Sequence, residues 1–583
     1  MIHSETWWED CEADAVLQPW LHGASPYART ALLTSLREPT NRSLILSDSY
    51  HQGLVKKWAH LENSEWERAQ NLQQTLSQLE ERLEEHLFKD EPEWNSQIFF
   101  TAPILRHFNH YEWIHHIWTF LSLYTQPIST ILVPLITLLI PILLLSWKRI
   151  PIPWDWVYAK CTGFFQYALG TDILPFRSQY HWTTLGILLV KRWISVGVYF
   201  FGIWSSLKQS IQYQNYAKCI IQQFQTLRQW FQTSLALLKQ LPDVSDDIKQ
   251  QLQRTLMTIE ERFSVCRYEK EYRHFWYPSR CWIPGRCWTQ WHHWMNWRDS
   301  FQLIKEPIGK IMACFHLARL LRQTTPEEPI CQPTWTDSKK KKKQWKKGWH
   351  PGLKGTQPHL QSYTWKKSRR FWLILGANAT GKTTFLKMAT WIHWMGQAWG
   401  IAPCQRANLQ WMQHFWSWVR VPDRTGQESL FEAEVRRARN ILSSLRTIQE
   451  KGEGAWIWMD EVFGSTNVEE STRCAYATLR MCVSKYPGLY GGCTTHLIGL
   501  SQLKKTKGIH MISFQMKKMG GNGTEAEAET ETEAEWKPTY RFKSGVLPQA
   551  LALDWVEQKG EMPEDWMEEA RSVRFNKSIF LPS

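Results

Sequence analysis

Hydrophobic residues in the first half of the chain recur at helical spacing. Leucines repeat every three or four residues from Leu72 to Leu87 on a charged background, which predicts an amphipathic helix. Residues 207–263 are rich in Gln, Leu and Lys and have the same period. We therefore expect an N-terminal helical region at residues 1–125 and a second helical region at 207–335.

Between these regions lie two more strongly apolar runs. Ile128–Trp147 has twenty residues without a charge, enough for a helix to cross a hydrocarbon core of ~30 Å. We predict a transmembrane helix here, with a buried core helix as the alternative. Trp182–Trp204 is a candidate second span, although Lys191 and Arg192 lie at its midpoint. A membrane region at residues 126–206 is the resulting expectation.

The pattern changes in the C-terminal third, where short continuous apolar runs predict buried parallel strands. The first run, Phe371–Leu375, leads directly into a loop bounded by Gly376 and Gly381. The loop and the two residues after it fit GxxxxGK[ST] at every fixed position, and a helix is expected to follow. Backbone N–H groups of such a loop can surround a phosphate.

This loop predicts a binding site for ATP and Mg²⁺. Lys382 would contact the β- and γ-phosphates, and the Thr383 hydroxyl would bind Mg²⁺. The residues predicted to bind the nucleotide are Gly376, Ala377, Asn378, Ala379, Thr380, Gly381, Lys382, Thr383 and Thr384.

A second buried-strand pattern, Ala455–Met459, ends in the carboxylates of Asp460 and Glu461. At the end of a strand, Asp460 could hold the Mg²⁺ ion and Glu461 could activate the attacking water. The alternative is an ordinary strand that ends in solvated acids. Strand, loop and helix followed by strand and Asp-Glu is the order of a P-loop NTPase, which predicts an α/β fold.

Composition indicates a large, basic protein whose cysteines are reduced thiols. The chain has 583 residues, 43% of them apolar, and a net charge of +14. Its 12 cysteines include no C-x-x-C pair, which argues for reduced thiols, against zinc and against a disulfide framework. The 37 tryptophans are an excess for which the sequence alone gives no physical reason.

Charge is concentrated in two segments. The connector at residues 336–370 carries twelve Lys and Arg residues against Asp337 alone, so it could bind a DNA backbone or an anionic lipid surface. Residues 520–535 form an acidic low-complexity insert. In Phe275–Trp297, tryptophans alternate with Arg and His, which suggests base stacking, a membrane interface or simple packing.

Four further stretches complete an ordered set of motifs: Gly426–Glu434, Phe463–Thr466, Thr494-Thr495-His496 and Leu551–Arg571. Together with the phosphate loop and the Asp-Glu pair, they resemble the MutS family of DNA mismatch-repair ATPases. Gly426–Glu434 is similar to the family's ABC-type signature, with Leu430 where the family usually has Thr. Phe463–Thr466 resembles its glycine-rich loop, and Thr494-Thr495-His496 its Thr-His switch. Leu551–Arg571 resembles its closing helix–turn–helix. The resemblance covers about the last 210 residues and implies an ATPase domain at residues 371–575, of ABC type and MutS-like.

The resemblance implies a homodimer with composite ATP sites. Ser429 of one copy would complete the site of the other, and His496 would sense the γ-phosphate or position water. DNA is the implied partner, but the family's Phe-x-Glu mismatch wedge is absent before the ATPase domain. We expect a membrane-attached ATPase with its ATPase domain on the cytoplasmic side. The alternative is a membrane ATPase that remodels a protein or lipid partner without DNA.

Overall fold

The structure is a computed structural model in which the described residues form two compact units. One unit comprises Met1–Arg68, Leu241–Asp243 and Glu306–Ser583, and the other Ala69–Gln240 and Val244–Lys305. The structure describes residues 8–39, 45–86, 99, 105–121, 128–129, 147, 155, 182–263, 282–335, 343–366, 369–376, 380–419, 429–519, 535–545 and 566.

The helices and strands are numbered here in chain order. The helices are α1 Ala13–Leu21, α2 Pro26–Arg37, α3 Ser49–Ala59, α4 Asn63–His86, α5 Glu112–Phe120, α6 Trp182–Gln240, α7 Asp246–Arg262, α8 Trp282–Arg322, α9 Lys382–Trp399, α10 Leu430–Lys451 and α11 Val468–Lys485. The strands are β1 Thr334–Trp335, β2 Gln344–Gly348, β3 Gln361–Thr364, β4 Arg369–Leu375, β5 Arg406–Leu409, β6 His414–Trp418, β7 Ala455–Asp460, β8 Leu489–Thr495, β9 Gly508–Met519 and β10 Glu535–Ser544.

A six-stranded sheet organises the first unit. Its order is β10-β9-β4-β8-β7-β6, and all pairs are parallel except β10 with β9. Strand β4 is central because both faces of Phe371–Leu375 are buried, as a continuous apolar run predicts. The carboxyl ends of β4, β7 and β8 therefore meet at one edge of the sheet.

Each face of this sheet buries a different set of side chains. Phe371 and Leu373 face a core formed with α10 and α11, whereas Trp372 faces the opposite side. There Trp372 lies 5.5 Å from Trp365 and 5.9 Å from Trp456, measured between ring centroids. Buried aromatic clusters of this kind account physically for part of the tryptophan excess.

The N-terminal helices cover α9 within the same unit. The indole N–H of Trp394 donates to the Leu36 carbonyl at 2.8 Å, and that of Trp399 donates to the Leu32 carbonyl at 2.9 Å. A smaller four-stranded sheet, ordered β1-β5-β2-β3, lies in this unit as well. Nearly every side chain of α9 is buried in the core of this unit.

The second unit is helical and is held by aromatic packing. Phe263, which directly follows α7, stacks on Phe224 of α6 with ring centroids 4.8 Å apart. Trp288 and Trp294 of α8 are fully buried. In the described part of the tryptophan-rich segment, these side chains therefore pack in a core, which matches the simplest of the three sequence interpretations.

The predicted membrane location is wrong. Among the helices that the structure describes, none has a stretch both long and apolar enough to cross a bilayer. Most of the first predicted span, residues 130–146, lies outside the described residues. The second predicted span, Trp182–Trp204, is the start of α6, a helix of 59 residues that ends at Gln240. Lys191 and Arg192 give the physical reason, since each costs ~2.5–3.5 kcal/mol at a bilayer centre.

Candidate nucleotide site

The predicted phosphate loop joins β4 to α9. Gly376 follows the strand with φ of 150°, and Gly381 precedes the helix with φ of 95°. Both angles are ones that other residues adopt rarely. A Cβ on Gly381 would also lie 3.1 Å from the Tyr540 ring, so a side chain there would crowd that ring. Residues 377–379, in the middle of the loop, lie outside the described residues.

Lys382 is the first residue of α9 and is only 5% exposed. Its Nζ donates to the Gly376 carbonyl oxygen at 2.7 Å, so the side chain folds back over the loop. Burial lowers the pKa of Lys382, and the negative charges of Glu461 and Asp460 oppose that shift. The ammonium therefore lies where it could exchange a carbonyl oxygen for phosphate oxygens.

Asp460 lies at the end of β7 and faces two threonine hydroxyls. The Thr383 Oγ1 is 3.4 Å from each carboxylate oxygen of Asp460, and the Thr494 Oγ1 donates to Asp460 Oδ1. Thr494 occupies the position on β8 that pairs with Asp460. Carboxylate and hydroxyl oxygens are the ligands that Mg²⁺ prefers, so Thr383 and Asp460 fit that ion.

Glu461 and His496 lie beside this pair. Glu461 has φ of 49°, and its N–H donates to the Thr494 carbonyl at 3.0 Å. Its carboxylate Oε1 is 3.6 Å from His496 Nδ1, with side chains 44% and 56% exposed. A positive φ turns the chain sharply after the strand. Both side chains are open to solvent, where an attacking water could reach them.

The described part of the signature-like segment, residues 429–434, has both exposed and buried side chains. Ser429 is exposed and caps α10: it accepts from Glu432 N–H at 3.3 Å, and its own N–H donates to Glu432 Oε2 at 2.9 Å. Glu434 is buried, and its carboxylate accepts from Gly464 N–H at 3.2 Å and from the Ser465 hydroxyl. Glu434 thus ties α10 to the loop that follows Glu461.

Five predicted residues are therefore close together in one copy: Lys382, Thr383, Asp460, Glu461 and His496. Of the other predicted nucleotide-binding residues, Thr380 is buried and Thr384 is exposed. Ser429 makes its hydrogen bonds with Glu432, in the first turn of its own helix. A role for it in another copy stays a prediction.

Two features of the site were not predicted from the sequence. The first is the hydrogen bond from the Thr494 hydroxyl to Asp460. The Thr-Thr-His motif could have predicted it only if the pairing of β7 with β8 had been known. The second is Tyr540 of β10, which lies against Gly381 and has its ring centroid 4.9 Å from that of His359. Neither aromatic residue belongs to a motif, and the fold brings them together from 181 positions apart.

Together these features define a mixed α/β domain whose sheet edge gathers a lysine, two threonines and two acids. Residues 372–576 match the family model described as MutS domain V. The chain is 26% identical over 156 residues to the DNA mismatch repair protein MutS of Oleidesulfovibrio alaskensis, a match covering 26% of this chain and 17% of that protein. It is 25% identical over 214 residues to the Endonuclease MutS2 of Thermus thermophilus, covering 36% of this chain and 26% of the relative.

These matches support a relationship to the MutS family through the C-terminal part of the chain. The matched segment spans 17% of the length of the first relative and 26% of the length of the second. The similarity therefore concerns the domain that carries the site.

Proposed function

We propose that the chain is a MutS-like ATPase that hydrolyses ATP at this site and acts on DNA. The observation that carries the proposal is the convergence of three side chains from two strand ends. Lys382 and Thr383 begin α9 after the loop that follows β4, Asp460 ends β7, and the Thr383 Oγ1 lies 3.4 Å from both Asp460 carboxylate oxygens. A cation for phosphate and two oxygen ligands for a metal are thereby placed side by side.

Each residue has a definite task in this proposal. Lys382 would release the Gly376 carbonyl and bind phosphate oxygens, while Thr383 and Asp460 would hold Mg²⁺. Bound Mg²⁺ would neutralise negative charge on the phosphates. Glu461 accepts a proton from the attacking water, and His496, 3.6 Å away, holds that carboxylate or the water in place.

A second copy of the chain is part of the proposal. Ser429 is exposed at the N-terminus of α10, where backbone N–H groups and the helix dipole favour an anion. In a dimer, this end of one copy would close over the phosphates held by Lys382 of the other. DNA is proposed as the partner because of the similarity to the MutS family and because a net charge of +14 favours binding to a polyanion.

Mixing two inactive variants tests the shared site. Lys382→Ala would remove phosphate binding, and Ser429→Asn would remove the hydroxyl while keeping a helix-capping acceptor. Each variant alone should lose ATP turnover, and their mixture should regain part of it because one site of the mixed dimer is intact. Duplex DNA should stimulate wild-type turnover, less so at high salt.

Two results would contradict the proposal. If the mixture stays as inactive as its components while both variants still associate, Ser429 does not act across copies. If duplex DNA leaves both turnover and nucleotide affinity unchanged at low salt, DNA is not the partner.

A further inference from the structure

A group of three histidines in the helical unit lies outside the nucleotide site. His110 ends a short 3₁₀ turn, Arg106–His110, and His292 and His293 are neighbours on α8. Their ring centroids are 4.8 Å apart for His110 and His292, and 5.7 Å apart for His110 and His293. One ligating nitrogen from each lies within 4.8 Å of the others.

The surrounding contacts hold these rings in position. Arg286 Nε of α8 donates to Glu112 Oε1 of α5 at 2.5 Å, one helical turn and a half before the histidine pair. A Cβ on Gly285 would lie 2.8 Å from the backbone of His116. Because α5 and α8 approach this closely, the turn that precedes α5 is brought against the same part of α8.

One of the three histidines has an unsatisfied buried nitrogen. His292 Nδ1 is buried and has no hydrogen-bond partner among the described residues. Such a group normally has a partner, because leaving it without one costs about 1–3 kcal/mol. His110 and His293 are exposed, so the group is open to solvent on one side. A ligand can reach it without any rearrangement of the core.

We propose that His110, His292 and His293 bind one divalent transition-metal ion of the zinc class. Three imidazoles with an open fourth position suit Zn²⁺, with Zn–N distances of about 2.0–2.1 Å. Within the described residues the group contains no thiol or carboxylate, which disfavours Mg²⁺ and Ca²⁺. Bound in this way, the ion would fasten the Arg106–His110 turn to α8.

Burial makes the imidazoles available as ligands. It lowers the pKa of His292 to about 4, and nearby His110, His293 and Arg106 lower it further. His293 likewise has a lowered pKa from burial, with contributions from His110 and Arg262. A neutral imidazole is the form that binds a metal. Arg106 and Arg262 are positive and oppose a cation, so moderate rather than extreme affinity is expected.

Zinc titration of the full chain, made without a histidine tag and treated with a chelator, tests the site. Wild type should bind one Zn²⁺ per chain at this site in competition with a colorimetric chelator. His110→Ala and His293→Ala should each weaken binding at least about tenfold, since even the partners of metal ligands matter by about 10–100-fold. His60→Ala, at an exposed histidine of the other unit, is the matched control.

A second readout separates metal binding from folding. Zn²⁺ should raise the melting temperature of wild type and of His60→Ala but not of His110→Ala or His293→Ala. Both substituted side chains are exposed, so the variants should melt like wild type without metal. The inference is overturned if wild type holds no stoichiometric Zn²⁺, or if it binds Zn²⁺ as tightly after both substitutions as before.

Discussion

At the scale of single residues, the orientation of Asp460 decides whether the site can hold a metal. Its carboxylate faces the Thr383 hydroxyl on one side and accepts from Thr494 on the other. A carboxylate fixed in this way loses little freedom when an ion binds. Thr494 is fully buried, so its hydroxyl is aimed by the packing of β8.

Replacing Thr494 with Val should therefore weaken Mg²⁺ more than ATP. Valine keeps the shape but removes the hydroxyl that orients Asp460, and we expect the Mg²⁺ concentration for half-maximal turnover to rise about tenfold. Thr390→Val is the matched control, because the Thr390 hydroxyl is equally buried but accepts from the Trp456 indole N–H at 3.0 Å rather than donating to Asp460. Equal Mg²⁺ dependence in the two variants would contradict this role.

Glu461→Gln should separate binding from turnover. Glutamine keeps the size of the side chain but is a poor base, so ATP should bind while hydrolysis falls by about 100-fold or more. Single-turnover kinetics and nucleotide binding measure the two effects. Glu469→Gln, at an exposed residue paired with Arg473, should leave both unchanged. A Glu461→Gln enzyme with wild-type turnover would exclude Glu461 as the base.

At the scale of elements, the contacts between α10 and the loop after β7 hold that loop in the shape that the site needs. Glu461 and Phe463 both have positive φ, at 49° and 59°, which costs about 1–3 kcal/mol for each such residue. The surrounding structure must hold the loop in this shape. Glu434 does so through Gly464 and Ser465, and Phe463 packs on Trp418 with centroids 5.3 Å apart.

Removing the Glu434 carboxylate should loosen this loop. Glu434→Ala leaves the Gly464 N–H and the Ser465 hydroxyl without their acceptor, which should lower the free energy of unfolding by about 1–3 kcal/mol and reduce turnover. Glu434→Gln keeps one acceptor oxygen and should restore most of both. Urea unfolding and steady-state hydrolysis are the measurements. Turnover unaffected in Glu434→Ala would show that the loop does not depend on α10.

Much of this arrangement could be predicted from local sequence. The strands expected at Phe371–Leu375 and Ala455–Met459 are present, and the helix after the loop begins at Lys382. Apolar runs and glycine punctuation are short-range signals, which explains that success. The positive φ of Glu461 carries no such signal, because it depends on Glu434 and Thr494, which are distant in sequence.

At the scale of the whole molecule, burial was harder to foresee than secondary structure. The N-terminal helices pack on α9 through residues more than 350 positions away, such as Leu36 with Trp394, and no periodicity encodes that distance. Hydropathy was misleading for Trp182–Trp204, because its two apolar halves suggest a span although Lys191 and Arg192 at its midpoint are costly at a bilayer centre.

The buried histidines make stability depend on pH. His393 of α9 stacks on Trp456 with centroids 4.1 Å apart, and burial lowers its pKa to about 4, while a hydrogen bond with the Ala389 carbonyl opposes the shift. In the unfolded chain its pKa is about 6.5. The unfolded state therefore binds the proton first as pH falls, and stability is lost between pH ~6.5 and ~4.

His393→Gln should flatten this dependence. The histidine contributes up to about 3 kcal/mol of stability above pH 6.5 that disappears by pH 4. Urea unfolding at pH 7 and pH 5 should therefore show a smaller difference for His393→Gln than for wild type, whatever its absolute stability. His22→Gln, at an exposed histidine, should retain the full difference. An unchanged pH difference in His393→Gln would mean that His393 is not buried as a neutral group.

Equilibrium binding of ATP in the presence of Mg²⁺ tests the central claim most directly. The purified chain should bind one ATP, and Lys382→Ala should weaken that binding at least about tenfold, because it removes a charged partner of the phosphates. Lys485→Ala, at an exposed lysine that ends α11, should bind like wild type. Failure of the wild-type chain to bind ATP with Mg²⁺, or equal affinity in Lys382→Ala and Lys485→Ala, would contradict the account.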